Sequence, residues 1–163
     1  MIPTIVTGNP IRFIIGADAV KPEQLAELYK TVGWRFDAAE GSEGDAAGDD
    51  AGGEGPAERG PLERLGRLIA GSSLVVTAWD GPALVGFGRC LTDGAFIGYV
   101  NNVAVRPQYW RRGIGRRLVE KLMAEYPGVL FMVSANADVV PFFERLGFRG
   151  YQTTWMARDP QGD

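Results

Sequence analysis

The chain has 163 residues, a one-domain length, and a 45% hydrophobic content that is enough for a core of its own. It has no histidine and one cysteine, Cys90, which excludes an intrachain disulfide, the usual zinc ligand sets and any relay that needs an imidazole, so no metal is expected. No apolar run is long enough to span a bilayer and the first residues lack a signal-peptide pattern, so the cytoplasm is the expected compartment.

The net charge of −3 is unevenly spread: residues 37 to 61 hold eight acids and one base, −7 in all, which leaves +4 for the rest. That stretch is glycine, alanine and acid with no large apolar side chain. It cannot offset its ordering entropy, and is expected to be a disordered loop inside a single domain spanning 1–163.

In chain order, Ile11 to Ile15 reads as a strand. Pro22 suits a first helical turn, Leu25, Leu28, Tyr29 and Val32 follow at helical spacing, and Gly33 ends the helix before Trp34. After the acidic stretch, Leu62, Leu65, Leu68 and Ile69 mark a second helix that stops near Gly71. Three strands come next, Leu74 to Trp79, Leu84 to Leu91 and Ala95 to Val105, joined by turns at Asp80-Gly81 and Thr92-Asp93-Gly94 into an antiparallel meander. Cys90 lies within the second and reads as a small buried hydrophobe. A helix from Gly113 to about Tyr126 sets Ile114, Leu118, Leu122 and Met123 on one face. Val129 to Val133 then reads as a buried strand. Asp138 can cap a helix through Leu146, Gly147 can end it, and Gly150 to Trp155 gives a last strand. Strand, helix, strand implies a parallel pair within a mixed sheet.

The segment from Val103 to Val119 carries the chemistry. It joins a strand to an amphipathic helix through Arg111-Arg112-Gly113-Ile114-Gly115-Arg116-Arg117. A helix start leaves main-chain N–H groups unpaired at the positive end of its dipole, and glycines let an anion come close. The ligand expected there is a phosphate ester. Neither a G-x-G-x-x-G fingerprint nor a Walker loop is present. Basic residues gather between Arg106 and Lys121, which suits one anionic ligand better than a nucleic-acid track.

The order of elements and three blocks, Leu84 to Arg89, Val103 to Leu118 and Asn136 to Phe148, resemble the GNAT superfamily of acetyl-CoA-dependent N-acyltransferases. The resemblance implies an α/β (α+β) fold: a mixed, mostly antiparallel central sheet flanked by about four helices, with a parallel strand pair splayed for the cofactor. It implies acetyl-CoA as acyl donor, its pyrophosphate on the turn formed by Arg111, Arg112, Gly113, Ile114, Gly115 and Arg116. The pantetheine arm would lie along Val103, Ala104 and Val105, with Asn136 and Phe142 beside the cofactor. Trp34 looks like the substrate-side Gly-Trp of small members.

Four positions depart from the family pattern. Trp110 stands where a Gln or Arg commonly opens the turn. Phe143 stands where a tyrosine often supplies a proton, and Asn101 and Asn102 stand where many relatives place a carboxylate. The candidate acids and bases that remain are Asp93, Tyr99 and Tyr151. Trp34, Phe36, Phe96, Tyr99 and Asn101 outline an apolar or aromatic acceptor slot, which favours a small-molecule amine. The alternatives are a protein or peptide N-acetyltransferase, or an acyl-CoA-binding sensor without catalysis. No nucleic acid and no membrane is expected as partner, and a homodimer is left open.

Overall fold

The structure, a computed structural model, describes residues 10–35 and 60–150. Phe36, Tyr151, nearly all of the acidic stretch and the expected last strand lie outside the described residues. The far boundary of the acidic stretch is visible and needs correction: Pro61 belongs to a helix, not to the loop. It opens α2 (Pro61–Ala70), preceded by Gly60, because a proline at the first helical position loses no hydrogen bond.

Five strands form one sheet in chain order: β1 (Arg12–Ile15), β2 (Leu74–Asp80), β3 (Ala83–Thr92), β4 (Ile97–Val105) and β5 (Leu130–Met132). The first four are antiparallel and β5 lies parallel to β4, so the mixed sheet expected from the sequence is present. Tight turns at Gly81 (φ +55°) and Gly94 (φ +73°) use backbone conformations that favour glycine, which fixes the β2–β3 and β3–β4 registers.

Alternation along the strands divides the core between two faces. On one, Val75, Trp79, Phe87 and Ala104 pack against Leu25, Leu28 and Tyr29 of α1 (Pro22–Thr31) and Leu65 and Ile69 of α2. On the other, Val76, Val85, Cys90 and Val100 meet Leu118, Val119 and Leu122 of α3 (Ile114–Ala124). Gly86 sets how closely α3 sits, since an added Cβ would lie 3.1 Å from both Ile114 and Leu118. Helix α3 is thereby seated directly on β3 and its N-terminus is held at the sheet.

Two elements differ from the sequence reading. The strand expected as buried over Val129 to Val133 is only three residues long, with Leu130 47% exposed, because β5 pairs on one side alone among the described residues. The helix expected from Asp138 is α4 (Val140–Glu144), which no side chain caps. Its first N–H groups, of Val139 and Val140, donate instead to the carbonyl of Asn136. Gly147 does end this segment in the left-handed region, at φ +89°.

A bulge in β4 matters most for the site. Phe87 faces Ala104 and Arg89 faces Asn101, so two residues, Asn102 and Val103, stand opposite Gly88. Asn102 takes φ +49°, a conformation that asparagine tolerates better than most residues. The extra residue resets the alternation. Val100 and Val103 consequently both pack on the α3 side, while Tyr99, Asn101 and Ala104 point to the other face.

Candidate active site

β5 pairs with β4 only at Ile97, Gly98 and Tyr99, whereas β4 runs on to Val105. The parallel pair therefore opens beyond Tyr99. Arg106 donates its N–H to the Val85 carbonyl, so by alternation the main-chain groups of Ala104 also face β3. Those of Val103 and Val105 face the opening, where an extended ligand can pair as a strand would. The indole N–H of Trp110 already uses one of them, donating to the Val105 carbonyl at 2.6 Å.

The turn that follows is shaped by two left-handed residues, Arg111 at φ +60° and Gly113 at φ +75°. Such residues curl successive N–H groups toward one concavity. Helix α3 begins there with no side-chain cap and no acid in its first turn. Arg117 is the first residue whose N–H is answered from within the turn, by the Gly113 carbonyl at 3.1 Å. The N–H groups of Ile114, Gly115 and Arg116 thus point out of the helix end, as an anion site requires. A Cβ at Gly113 would meet nothing within 4 Å, so the space beside it is open. Gly115 serves packing as well, since a Cβ there would touch the Phe142 ring at 3.4 Å and so brings α4 against α3. The residues present fit a pyrophosphate held by main-chain donors.

The arginines of the turn do not all face this cradle. Arg112 lies over the Tyr109 ring at 5.1 Å, and Tyr109 is pinned by donating its hydroxyl to Asp80 at 2.8 Å. Arg116 pairs with Glu120 at 2.6 Å. Arg117 and Lys121 lie over Phe13 of β1, toward the opposite edge of the sheet. Their formal charge raises the local potential, but direct contact with an anion falls to the main chain.

The second half of the site lies on the face away from α3. Glu27 of α1 is 3.6 Å from Arg106, and Tyr29 meets Phe87, the strand partner of Ala104, so α1 runs antiparallel to β4. Trp34, 5.0 Å from Tyr29 between ring centres, is thereby carried toward the bulge. Tyr99 and Asn101 share this face. The Asn101 side-chain oxygen accepts the N–H of Asn102 at 2.7 Å and so holds the bulge. Arg89, opposite Asn101, donates its Nε to the Asn102 side-chain oxygen at 2.6 Å. Sequence reasoning did not assign Arg89 a role in the site. The signal was there, in a charged residue at strand alternation from Phe87 and Leu91, but only the register shows that it faces the bulge.

Other expected residues lie apart. Asp93 sits in the β3–β4 turn and accepts the N–H groups of Ala95, Phe96 and Ile97 at 2.9, 2.8 and 3.1 Å. These main-chain bonds hold its carboxyl below the usual carboxylate range and weaken it as a base. Phe96 is 79% exposed at that same end and does not close a slot with Trp34. Asn136 is exposed, with its carbonyl committed to the start of α4. Phe143 is buried between Phe142 and Phe148, with ring centres 4.9 and 5.5 Å away.

Known proteins are similar to this chain in sequence and in fold. The model of the acetyltransferase (GNAT) family matches residues 46–148, and the chain belongs to that family. It is 37% identical over 82 residues to GCN5-related N-acetyltransferase 2, chloroplastic, of Arabidopsis thaliana, covering 48% of this chain and 29% of that protein. It is 25% identical over 109 residues to the uncharacterized N-acetyltransferase ycf52 of Pyropia yezoensis, covering 63% and 58%. The match spans less than two thirds of the length of these curated relatives. A GNAT-family acetyltransferase of Streptococcus pneumoniae shares the fold with a TM-score of 0.63 at 23% identity, covering 91% of this chain and 99% of that one. Among the described residues no helix is long and apolar enough to cross a membrane.

Proposed function

We propose that the chain transfers the acetyl group of acetyl-CoA to a primary amine of a small molecule. The observation that carries this reading is the continuity of the opened β4–β5 pair with the main-chain cradle at Gly113. The N–H groups from Arg111 to Arg116 would hold the pyrophosphate, with Arg112 and Ile114 in the curl of the turn. Val103 and Val105 would hold the pantetheine arm by main-chain bonds, Ala104 anchoring the strand behind them, and Asn136 and Phe142 would flank it. When bound, the donor supplies the thioester carbonyl that an amine attacks.

The chain's own contributions follow from the bulge. Asn102 spends its N–H on Asn101, whereas the Val103 N–H faces the opening and can meet negative charge building on a carbonyl oxygen. No carboxylate stands on β4, so Asn101 can orient an amine by hydrogen bonding but cannot take its proton. A coenzyme thiol with a pKa like that of free cysteine, about 8.5, leaves without a strong acid. Tyr99 and Tyr151 are the hydroxyls assigned to return a proton, and Trp34 and Phe36 the aromatics assigned to the acceptor.

Calorimetric titration with coenzyme A, run beside thiol release from acetyl-CoA over a panel of amines, tests the reading. We expect micromolar binding and release with at least one small amine. Phe143 in the tyrosine position favours one other reading, a sensor that binds acyl-CoA without transfer. Binding with no release across the panel would establish the sensor, and no binding would end both.

A further inference from the structure

We infer that Trp110 reads the chain of the donor: it ends strand-like pairing at Val105 and covers the carbon, bearing two methyl groups, that joins the pantetheine amides to the pyrophosphate. The inference rests on acetyl-CoA being the donor and names a side chain that determines specificity for it. Strand β4 ends at Val105, and the carbonyl of that residue is held by the Trp110 indole N–H at 2.6 Å. An extended ligand entering the opening can therefore use the Val103 N–H, the Val103 carbonyl and the Val105 N–H, and its pairing stops there. With the Val103 N–H assigned to the thioester oxygen, one acceptor and one donor are left for amides.

Trp110 is fixed at both ends. Its own main-chain N–H donates to the Pro107 carbonyl at 3.1 Å, in the single turn Pro107–Tyr109, and Tyr109 is pinned in turn to Asp80. The far end of the side chain is fixed by Val105. Between these anchors Trp110 is 60% exposed, so a broad apolar surface is held in water immediately before Arg111, where the left-handed curl of the cradle begins. A ring that is already ordered loses little further freedom when a ligand covers it.

Order along the ligand decides what covers the ring. From its thioester end, coenzyme A presents a pair of amides that need main-chain partners, then the dimethylated carbon that needs none, then the pyrophosphate. The chain presents the matching order from the bulge: main-chain groups at Val103 and Val105, the indole of Trp110, then the N–H groups of Ile114, Gly115 and Arg116. The adenine lies beyond the pyrophosphate, so it is not the group that this order sets against the ring.

Calorimetric titration tests the inference with coenzyme A, an analogue in which hydrogen replaces both methyl groups, and adenosine 3′,5′-diphosphate, which keeps the base but has no pantetheine. The native protein should prefer coenzyme A to the analogue at least about fivefold, as partial burial of two methyl groups allows. Trp110→Ala should reduce that preference to less than about twofold while changing the affinity for adenosine 3′,5′-diphosphate by no more than about twofold. Trp110→Phe, which keeps an aromatic cover without the indole bond, should retain part of the preference. No preference in the native protein, or one unchanged in Trp110→Ala, would overturn the inference. So would an equal loss of affinity for all these ligands in Trp110→Ala, which would assign the ring to the base or to the shape of the cradle. In each of those cases coenzyme A still binds the native protein and the donor reading stands. If the native protein does not bind coenzyme A, the donor reading has failed and the inference falls with it.

Discussion

The cofactor edge and the acceptor face meet at the bulge of β4, yet they are made of different material. At the edge, the donors are main-chain N–H groups contributed by one unbroken stretch, and the arginines beside them are largely turned to Tyr109, Glu120 and Phe13. On the face, the polar atoms belong to side chains from β3 and β4 that only the sheet register brings together. A main-chain cradle tolerates exchange of most side chains and fails when its backbone changes. A side-chain site behaves in the opposite way. On the proposed function, recognition of a shared donor would sit in the edge, and choice of acceptor in the face.

The sharpest way to break this contrast is to place charge in the cradle. Gly113→Asp and Gly115→Asp should each weaken coenzyme A binding at least about 100-fold, or some 2.7 kcal/mol, the first by setting a carboxylate in the open cradle and the second by pressing a charged side chain against Phe142 and displacing the start of α3. Arg112→Ala, read in the same calorimetric titration, should cost only a fewfold. Equal losses in all three would show that side chains, not the main chain, hold the anion.

Next in size is Gly98→Ala. A Cβ there would lie 2.6 Å from the Phe131 ring, so β5 must shift at the point where it still pairs with β4. The expected cost is about 1–3 kcal/mol of stability, read by denaturant unfolding. Relief in the double variant with Phe131→Leu would tie the cost to this contact.

Phe143→Tyr should match that cost in stability but have a smaller effect on the chemistry. The new hydroxyl would enter the cluster of Phe142 and Phe148, and leaving it without a partner costs about 1–3 kcal/mol. Thiol release should stay within about twofold of native, since the ring is packed in the core. A tenfold rise, about 1.4 kcal/mol of barrier, would show that a proton from this position limits the reaction.

The smallest effect belongs to Asp93. Its folded pKa is depressed, led by the Ala95 N–H bond, so its contribution to stability is present above the unfolded value near 3.9. That contribution is lost as pH falls through the lower folded value. Asp93→Asn should lower the melting temperature slightly at pH 7 and hardly at all near pH 2. It should leave the pH profile of thiol release above pH 5 unmoved. A profile that shifts would restore Asp93 as a base.

The same contrast explains what could be read from the sequence. Strands β1 to β4, α1, α3 and the Arg111–Arg116 turn were legible because each is declared locally, by alternation, helical spacing or glycine. Arg89 was not, since its neighbours in space, Asn101 and Asn102, become neighbours only through a register that a bulge displaces by one residue. Asp138 misled because a capping residue type implies a helix start, but the short α4 begins two residues later, on the Asn136 carbonyl. β5 misled because an apolar run shows that a strand exists, not how long it is or how deeply it is buried.

The order of strand pairing has a consequence for how the molecule assembles. β2, β3 and β4 are joined by tight turns, and α3 follows them closely, so the cofactor edge can form from contacts near in sequence. β1 pairs with β2 at Arg12 and Trp79, across α1, the acidic stretch and α2, and must close a far longer loop. The donor-binding unit is expected to gain protection first in pulsed hydrogen exchange, and α1 and α2 afterwards, with Trp34 just beyond the end of α1. The enzyme would then acquire its common chemistry before its selectivity, with the acceptor side docking onto a platform already made.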